Sequence, residues 1–186
     1  MNPLINNTLY YYYYFYDYIW SIDKANLIVK NLYLGDVIAS NDIDFLVEEK
    51  VKLVINLSNM VFPEEQHILK QHDIKVKNIM VRDHPDDAEL LLSHIPQLVD
   101  DIHYHLSNNK KVLVNCYAGR QRSAAVVACY LIKHSFIDSS RFDNKDNKDN
   151  KEIVDLCIKF IQMKRPVSFT PKANFYNAIV KYSKSI

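Results

Sequence analysis

The chain has 186 residues, 48% of them hydrophobic and 24% charged, with a formal net charge of +1. That length holds one domain with a real core and is too short for two ordinary domains and a linker, while the near-neutral balance gives no general reason to expect nucleic acid or an anionic membrane as partner, so a preference for phosphate has to come from a local site. Three cysteines, Cys116, Cys129 and Cys157, make neither a disulfide framework nor a paired metal-ligand spacing, which predicts a reducing compartment.

Residues 1–21 form an aromatic extension, with five consecutive tyrosines from Tyr10 to Tyr14 followed by Phe15, Tyr16, Tyr18 and Trp20. Such side chains offer large contact area with a polar tip, which suits docking onto the domain or onto a second copy, so a homodimer through this segment is expected. The run is shorter than a membrane span and carries Asp17, and the first basic residue is Lys24, so neither stable membrane insertion nor secretion is expected and a cytoplasmic location is predicted. From Leu27 to Gly35 the pattern reads as an opening strand that ends in a turn at glycine. Ser40 or Asn41 then reads as the cap of a helix over 42–50.

Val51 to Leu57 is a short β-branched run, expected as a buried strand, and 63–72 reads as a helix. Ile74 to Val81 reads as a third strand and leads into the polar turn Arg82-Asp83-His84-Pro85-Asp86-Asp87. Asp86 with Glu89 resembles a capping box for a long core-facing helix in which Leu90, Leu91, His94, Ile95, Leu98, Ile102 and Leu106 keep helical spacing. Val112-Leu113-Val114 is a fourth strand ending at Cys116, and 123–134 reads as a buried helix. The segment from about 139 to 151 is a low-complexity insertion, Asp-Asn-Lys in repetition, with helices predicted at 153–164 and 171–184. Strands alternating with helices predict an α/β domain over 22–186.

Average usage would place roughly a dozen glycines in this length. There are two, Gly35 and Gly119, and Gly119 lies in the loop Asn115-Cys116-Tyr117-Ala118-Gly119-Arg120-Gln121-Arg122-Ser123. A glycine-bearing loop that runs from a buried strand into a helix N-terminus presents several backbone N–H groups to one point, and the helix dipole adds to their field. Such a point binds an oxyanion. Cys116 at its start is placed where that field and Arg120 or Arg122 favour the thiolate, the nucleophilic form. The planar fork of Arg122 can hold two phosphoryl oxygens, and Ser123 can donate to the sulfur. The expected phosphate-binding set is Tyr117, Ala118, Gly119, Arg120, Gln121 and Arg122. This chemistry requires no metal or other cofactor.

Cys116, five residues, then Arg122 and Ser123, after Val112-Leu113-Val114, resemble the signature of the protein tyrosine phosphatases, dual-specificity branch. Asn31-Leu32-Tyr33-Leu34-Gly35-Asp36, Val54-Ile55-Asn56-Leu57-Ser58 and Arg165-Pro166 followed by Pro171 and Phe175 are similar to that family's segments in the same order. The resemblance implies a central mixed, mostly parallel sheet flanked by helices, and hydrolysis of phosphotyrosine, with phosphoserine and phosphothreonine, in phosphoprotein substrates through a phosphocysteine intermediate. It also implies Asp83 as general acid; with Asp86 read as the cap, the residues themselves leave Asp87 as the rival. Two positions depart from the family: its histidine before the cysteine is Asn115 here, and Lys172 stands where it often has asparagine, with Asn174 close by. Asn115 points to slower turnover and motivates a phosphate-binding pseudophosphatase as alternative. A phospholipid phosphatase of the same chemistry is the other.

Overall fold

The structure is a computed structural model and describes residues 23–58, 60, 66–134 and 150–186; the aromatic extension 1–21 and most of the 139–151 insertion lie outside them. Strand β1 (Ala25–Val29) turns at Asn31 into β2 (Leu32–Gly35), antiparallel to it with Leu27 opposite Tyr33. The single strand expected over 27–35 is therefore the heart of a hairpin. Asn31 takes a φ of 68°, a left-handed turn conformation that asparagine tolerates better than most residues.

Helix α1 (Val37–Asn41) is capped by Asp36, whose Oδ1 accepts the Ala39 N–H at 3.0 Å, and α2 (Ile43–Glu48) by Asp42, whose Oδ1 accepts the Phe45 N–H at 2.8 Å. Ser40 and Asn41 cap nothing; they lie inside α1, because the aspartates on either side satisfy the open N–H groups of both short helices. Next come β3 (Val51–Asn56), α3 (Gln66–Gln71) and β4 (Lys75–Asn78). The turn Pro85–Asp87 opens α4 (Ala88–Ser107), and its cap is His84, which accepts the Asp86 N–H. The expected capping box is absent, and Glu89 instead pairs with Lys181. Strand β5 (Lys111–Asn115) leads to α5 (Arg122–Lys133), and α6 (Asn150–Lys164) and α7 (Tyr176–Ser183) close the domain.

The strand order is β1-β2-β5-β3-β4, parallel except for β1. Because successive side chains of a strand point to opposite faces, Val112 and Val114 join the larger core with α4 to α7, while Leu113 joins the smaller one with Ala39, Leu46 and Leu69. Leu91, Ile95, Leu98, Val99 and Ile102 give α4 its buried stripe. Helix α5 is buried from Arg122 to Leu131, so it runs through the domain interior and is held on all sides. One consequence of the register positions the site: Gly35 pairs with Asn115, Asn115 with Asn56, and Asn56 with Asn78. This row crosses four strands at their carboxyl ends, the edge where open α/β sheets bind ligands.

Candidate active site

After β5 the chain leaves the sheet at Cys116 and enters α5 at Arg122, and each carbonyl between is tied outward. The Tyr117 carbonyl accepts from the Val37 N–H at 3.1 Å, and the Arg120 carbonyl from the Phe169 N–H at 2.8 Å. Arg165 supplies the two bonds between, from Nη2 to the Ala118 carbonyl at 3.3 Å and from Nε to the Gly119 carbonyl at 3.0 Å. In a planar trans peptide the N–H points opposite to its carbonyl. Tying back the carbonyls of 117 to 120 therefore turns the N–H groups of Ala118, Gly119, Arg120 and Gln121 inward, toward one concavity above Cys116, at the amino end of a 12-residue helix.

The two glycines of the chain meet here. Gly119 has a φ of +63°, and a Cβ on it would stand 2.5 Å from the Gly35 carbonyl oxygen and 2.7 Å from Arg165 Nη2. A side chain at 119 is thus barred by backbone conformation and by the close approach of β2 to the loop.

Cys116 is fully buried, and Ser123 Oγ donates to its Sγ at 3.2 Å. Arg122 is buried too: its Nη1 donates to the carbonyls of Leu57 at 2.8 Å and Val81 at 3.0 Å, while its Nε has no hydrogen-bond partner. Asp83 Oδ2 lies 3.9 Å from that Nε, and Asp83 Oδ1 accepts from Asn174 Nδ2 at 3.0 Å. Asp87 is turned elsewhere. It accepts from the Arg82 N–H at 2.8 Å and from Arg82 Nη2 at 2.5 Å, and these bonds hold its carboxyl below the ordinary aspartate range. A carboxyl so held is ionised at neutral pH and has no proton to deliver.

Asn115 Nδ2 donates to Ser40 Oγ and to Asn56 Oδ1, both at 3.0 Å, and Asn56 Nδ2 donates to Asn78 Oδ1 at 2.9 Å. The asparagine row of the sheet edge is thus a hydrogen-bonded ladder beneath the loop. The amide of Asn115 braces strand and loop base against α1 and β3. Its Oδ1 is buried without a partner. Arg120 is buried, 4% exposed, with Nη1 3.4 Å from Thr170 Oγ1. Tyr117 is half-buried, and His84 is exposed beside Asp86. Two side chains already singled out in the sequence gain contacts that their spacing did not signal: Gln121 reaches across to the 170–174 segment, and Asn174 reaches Asp83.

A thiol at the end of a central parallel strand, an inward-turned amide loop and an arginine at the first turn of the following helix define the cysteine-dependent phosphatase architecture. A family model described as the dual specificity phosphatase catalytic domain matches residues 32–144, and the chain belongs to that family. It is 32% identical over 118 residues to the dual specificity protein phosphatase MPK-4 of Drosophila melanogaster, covering 63% of this chain and 29% of that protein. To human dual specificity protein phosphatase 16 it is 30% identical over 162 residues, covering 86% of this chain and 21% of that protein. The chain therefore spans less than a third of the length of these relatives. Among solved structures, the Yvh1 phosphatase domain from Chaetomium thermophilum superposes with a TM-score of 0.72 at 22% identity, covering 87% of this chain and 96% of that one; at that identity the likeness is one of fold. No helix among the described residues is long and apolar enough to cross a membrane.

Proposed function

We propose that the chain hydrolyses phosphotyrosine, and phosphoserine and phosphothreonine, in protein substrates through a phosphocysteine intermediate. The observation that carries this is the set of donors around Cys116: four inward N–H groups and the buried Nε of Arg122, which has no hydrogen-bond partner. A buried donor without an acceptor is costly, and a phosphoryl oxygen in the concavity would satisfy it. Cys116 Sγ attacks phosphorus, the ester P–O bond breaks, and Asp83 gives its proton to the leaving oxygen. Water then attacks the phosphocysteine, Asp83 takes the proton, and the P–S bond breaks while Ser123 Oγ–H donates to the departing sulfur. Arg122 and the loop N–H groups of Ala118 to Gln121 hold the charge that builds on the equatorial oxygens. Asp83 rather than Asp87 takes the acid role, since Arg82 keeps Asp87 ionised and turned aside.

The three free cysteines support work in a reducing, cytoplasmic setting. The aromatic extension is assigned to homodimer formation, and deleting residues 1–21 should halve the mass read by light scattering; an unchanged mass rules that assignment out. The catalytic test is hydrolysis of a small aryl phosphate by wild type, Cys116→Ser and Asp83→Asn, followed by phosphopeptides against phosphoinositides. Turnover by wild type and its loss in Cys116→Ser are expected, with phosphopeptides the better substrates. Activity surviving Cys116→Ser overturns the mechanism. An inactive wild type leaves a phosphate-binding module, and preference for phosphoinositides makes the protein a lipid phosphatase.

A further inference from the structure

Gln121 is 5% exposed, and its side chain makes three bonds to one segment of chain. Its Nε2 donates to the carbonyls of Thr170 at 3.0 Å and Lys172 at 2.8 Å, and its Oε1 accepts the Asn174 N–H at 3.1 Å. The segment held this way ends in Asn174, whose Nδ2 donates to Asp83 Oδ1 at 3.0 Å. A continuous set of bonds therefore runs from the anion-binding loop, through its own Gln121 side chain and the 170–174 segment, to Asp83, 91 positions from Asn174 in sequence.

We propose that Gln121 and Asn174 are positioning residues that fix the carboxyl of Asp83 and decide which of its oxygens carries the proton; this rests on the general-acid role given to Asp83 above. An amide N–H directed at Oδ1 needs an acceptor there, so a proton on Oδ1 would confront it. The proton of the neutral acid is thereby placed on Oδ2, which lies 3.9 Å from Arg122 Nε, too far for a hydrogen bond that would compete for it. Because Gln121 belongs to the same loop that holds the phosphoryl group, donor and phosphorus are registered to one piece of backbone. Proton delivery then depends on a bond that touches neither substrate nor nucleophile.

The test exploits leaving-group chemistry. A misplaced acid matters when the departing oxygen is strongly basic and hardly at all when it leaves as a stabilised phenolate. Asn174→Ala should lower kcat/KM on phenyl phosphate, which reports the steps through P–O cleavage, about five- to tenfold, as expected for one lost neutral hydrogen bond. It should leave kcat/KM on an aryl phosphate with an acidic phenol, and inhibition by vanadate, within about twofold. Asn174→Gln, which keeps an amide donor, should recover part of the loss. In an Asp83→Asn background Asn174→Ala should change nothing further, since its whole effect passes through Asp83. Equal losses on both substrates, or a further loss in the Asp83→Asn background, overturn the positioning role. If Asp83→Asn itself shows no dependence on the leaving group, the acid assignment fails, and the relay with it. A strong dependence there with none in Asn174→Ala refutes the relay alone.

Discussion

Gly119→Ala tests how the phosphoryl-binding loop is held. The new Cβ would meet the Gly35 carbonyl oxygen at 2.5 Å, whereas ordinary contact begins at 3.4 Å, so loop and β2 must separate by about 0.9 Å. Neither partner yields cheaply, since both are backbone and Gly35 is paired into the sheet opposite Asn115. Alanine at a φ of +63° adds about 1–2 kcal/mol of strain. A shift of that size carries the Gly119 carbonyl, 3.0 Å from Arg165 Nε, beyond hydrogen-bond reach, and a bond to a charged donor is worth about 1.5–3 kcal/mol. Together these give about 3–5 kcal/mol of destabilisation, a large share of a typical domain's 5–15 kcal/mol. The released N–H groups of Gly119 and Arg120 should lower kcat on an aryl phosphate at least about 100-fold, the cost of losing one oxyanion donor. Urea unfolding and steady-state turnover measure the two effects. Gly35→Ala is the control: its Cβ meets a flexible Leu113 methyl and Ala39 at 3.0 and 3.1 Å, along with the Lys24 carbonyl at 3.0 Å, and should cost about 1–2 kcal/mol. A Gly119→Ala protein with wild-type turnover and stability, or a more damaging Gly35→Ala, refutes the reasoning.

Arg165→Lys keeps the charge but loses the fork that holds two loop carbonyls and Asn26 Oδ1, so kcat should fall about tenfold or more in kinetic assays while the fold survives in circular dichroism. Asn115→Ala removes both bonds to Ser40 and Asn56 and should cost about 1–3 kcal/mol in urea unfolding. An unaltered midpoint would mean that the asparagine ladder adds nothing. Burial, and then His103 stacked on it at 4.0 Å, lowers the pKa of His134 below the ordinary 6.5, with Lys133 acting the same way and Asp100 opposing. The unfolded chain then binds the proton first, so stability is full above about pH 6.5 and falls as pH drops through that value toward the folded one. His134→Phe should flatten the slope of Tm between about pH 5 and 7, measured by calorimetry; an unchanged slope excludes His134 as its source.

Much of this was legible because it is local. Strand, loop and helix around Cys116 follow from a β-branched run, one glycine and an arginine six positions on, and the α/β alternation follows from period. The misreadings have local causes as well. Asp36 and Asp42 flank Ser40 and Asn41 and outcompete them as caps, and the left-handed Asn31 hides a two-residue hairpin turn inside an alternating run. Asp83 and Asp87 could not be separated by spacing, since four positions place both on one short turn; the proposed choice of Asp83 rests on Arg82, which folds back onto Asp87. The sequence showed Asn115 only as a replaced histidine; the partners that place its amide, Asn56 and Ser40, are 59 and 75 positions away.

The order of residues from Asn115 to Ser123 was enough to specify the proposed reacting groups and their spacing, because a strand end, a tight loop and a helix start determine one another within nine residues. What only the tertiary structure decided is how that loop is held: Gly35 against Gly119, Arg165 on two carbonyls, Asn174 on Asp83. Those contacts join segments that meet only when β2, β5 and the 165–174 segment pack together, and no local preference of the chain encodes a distance across such a gap.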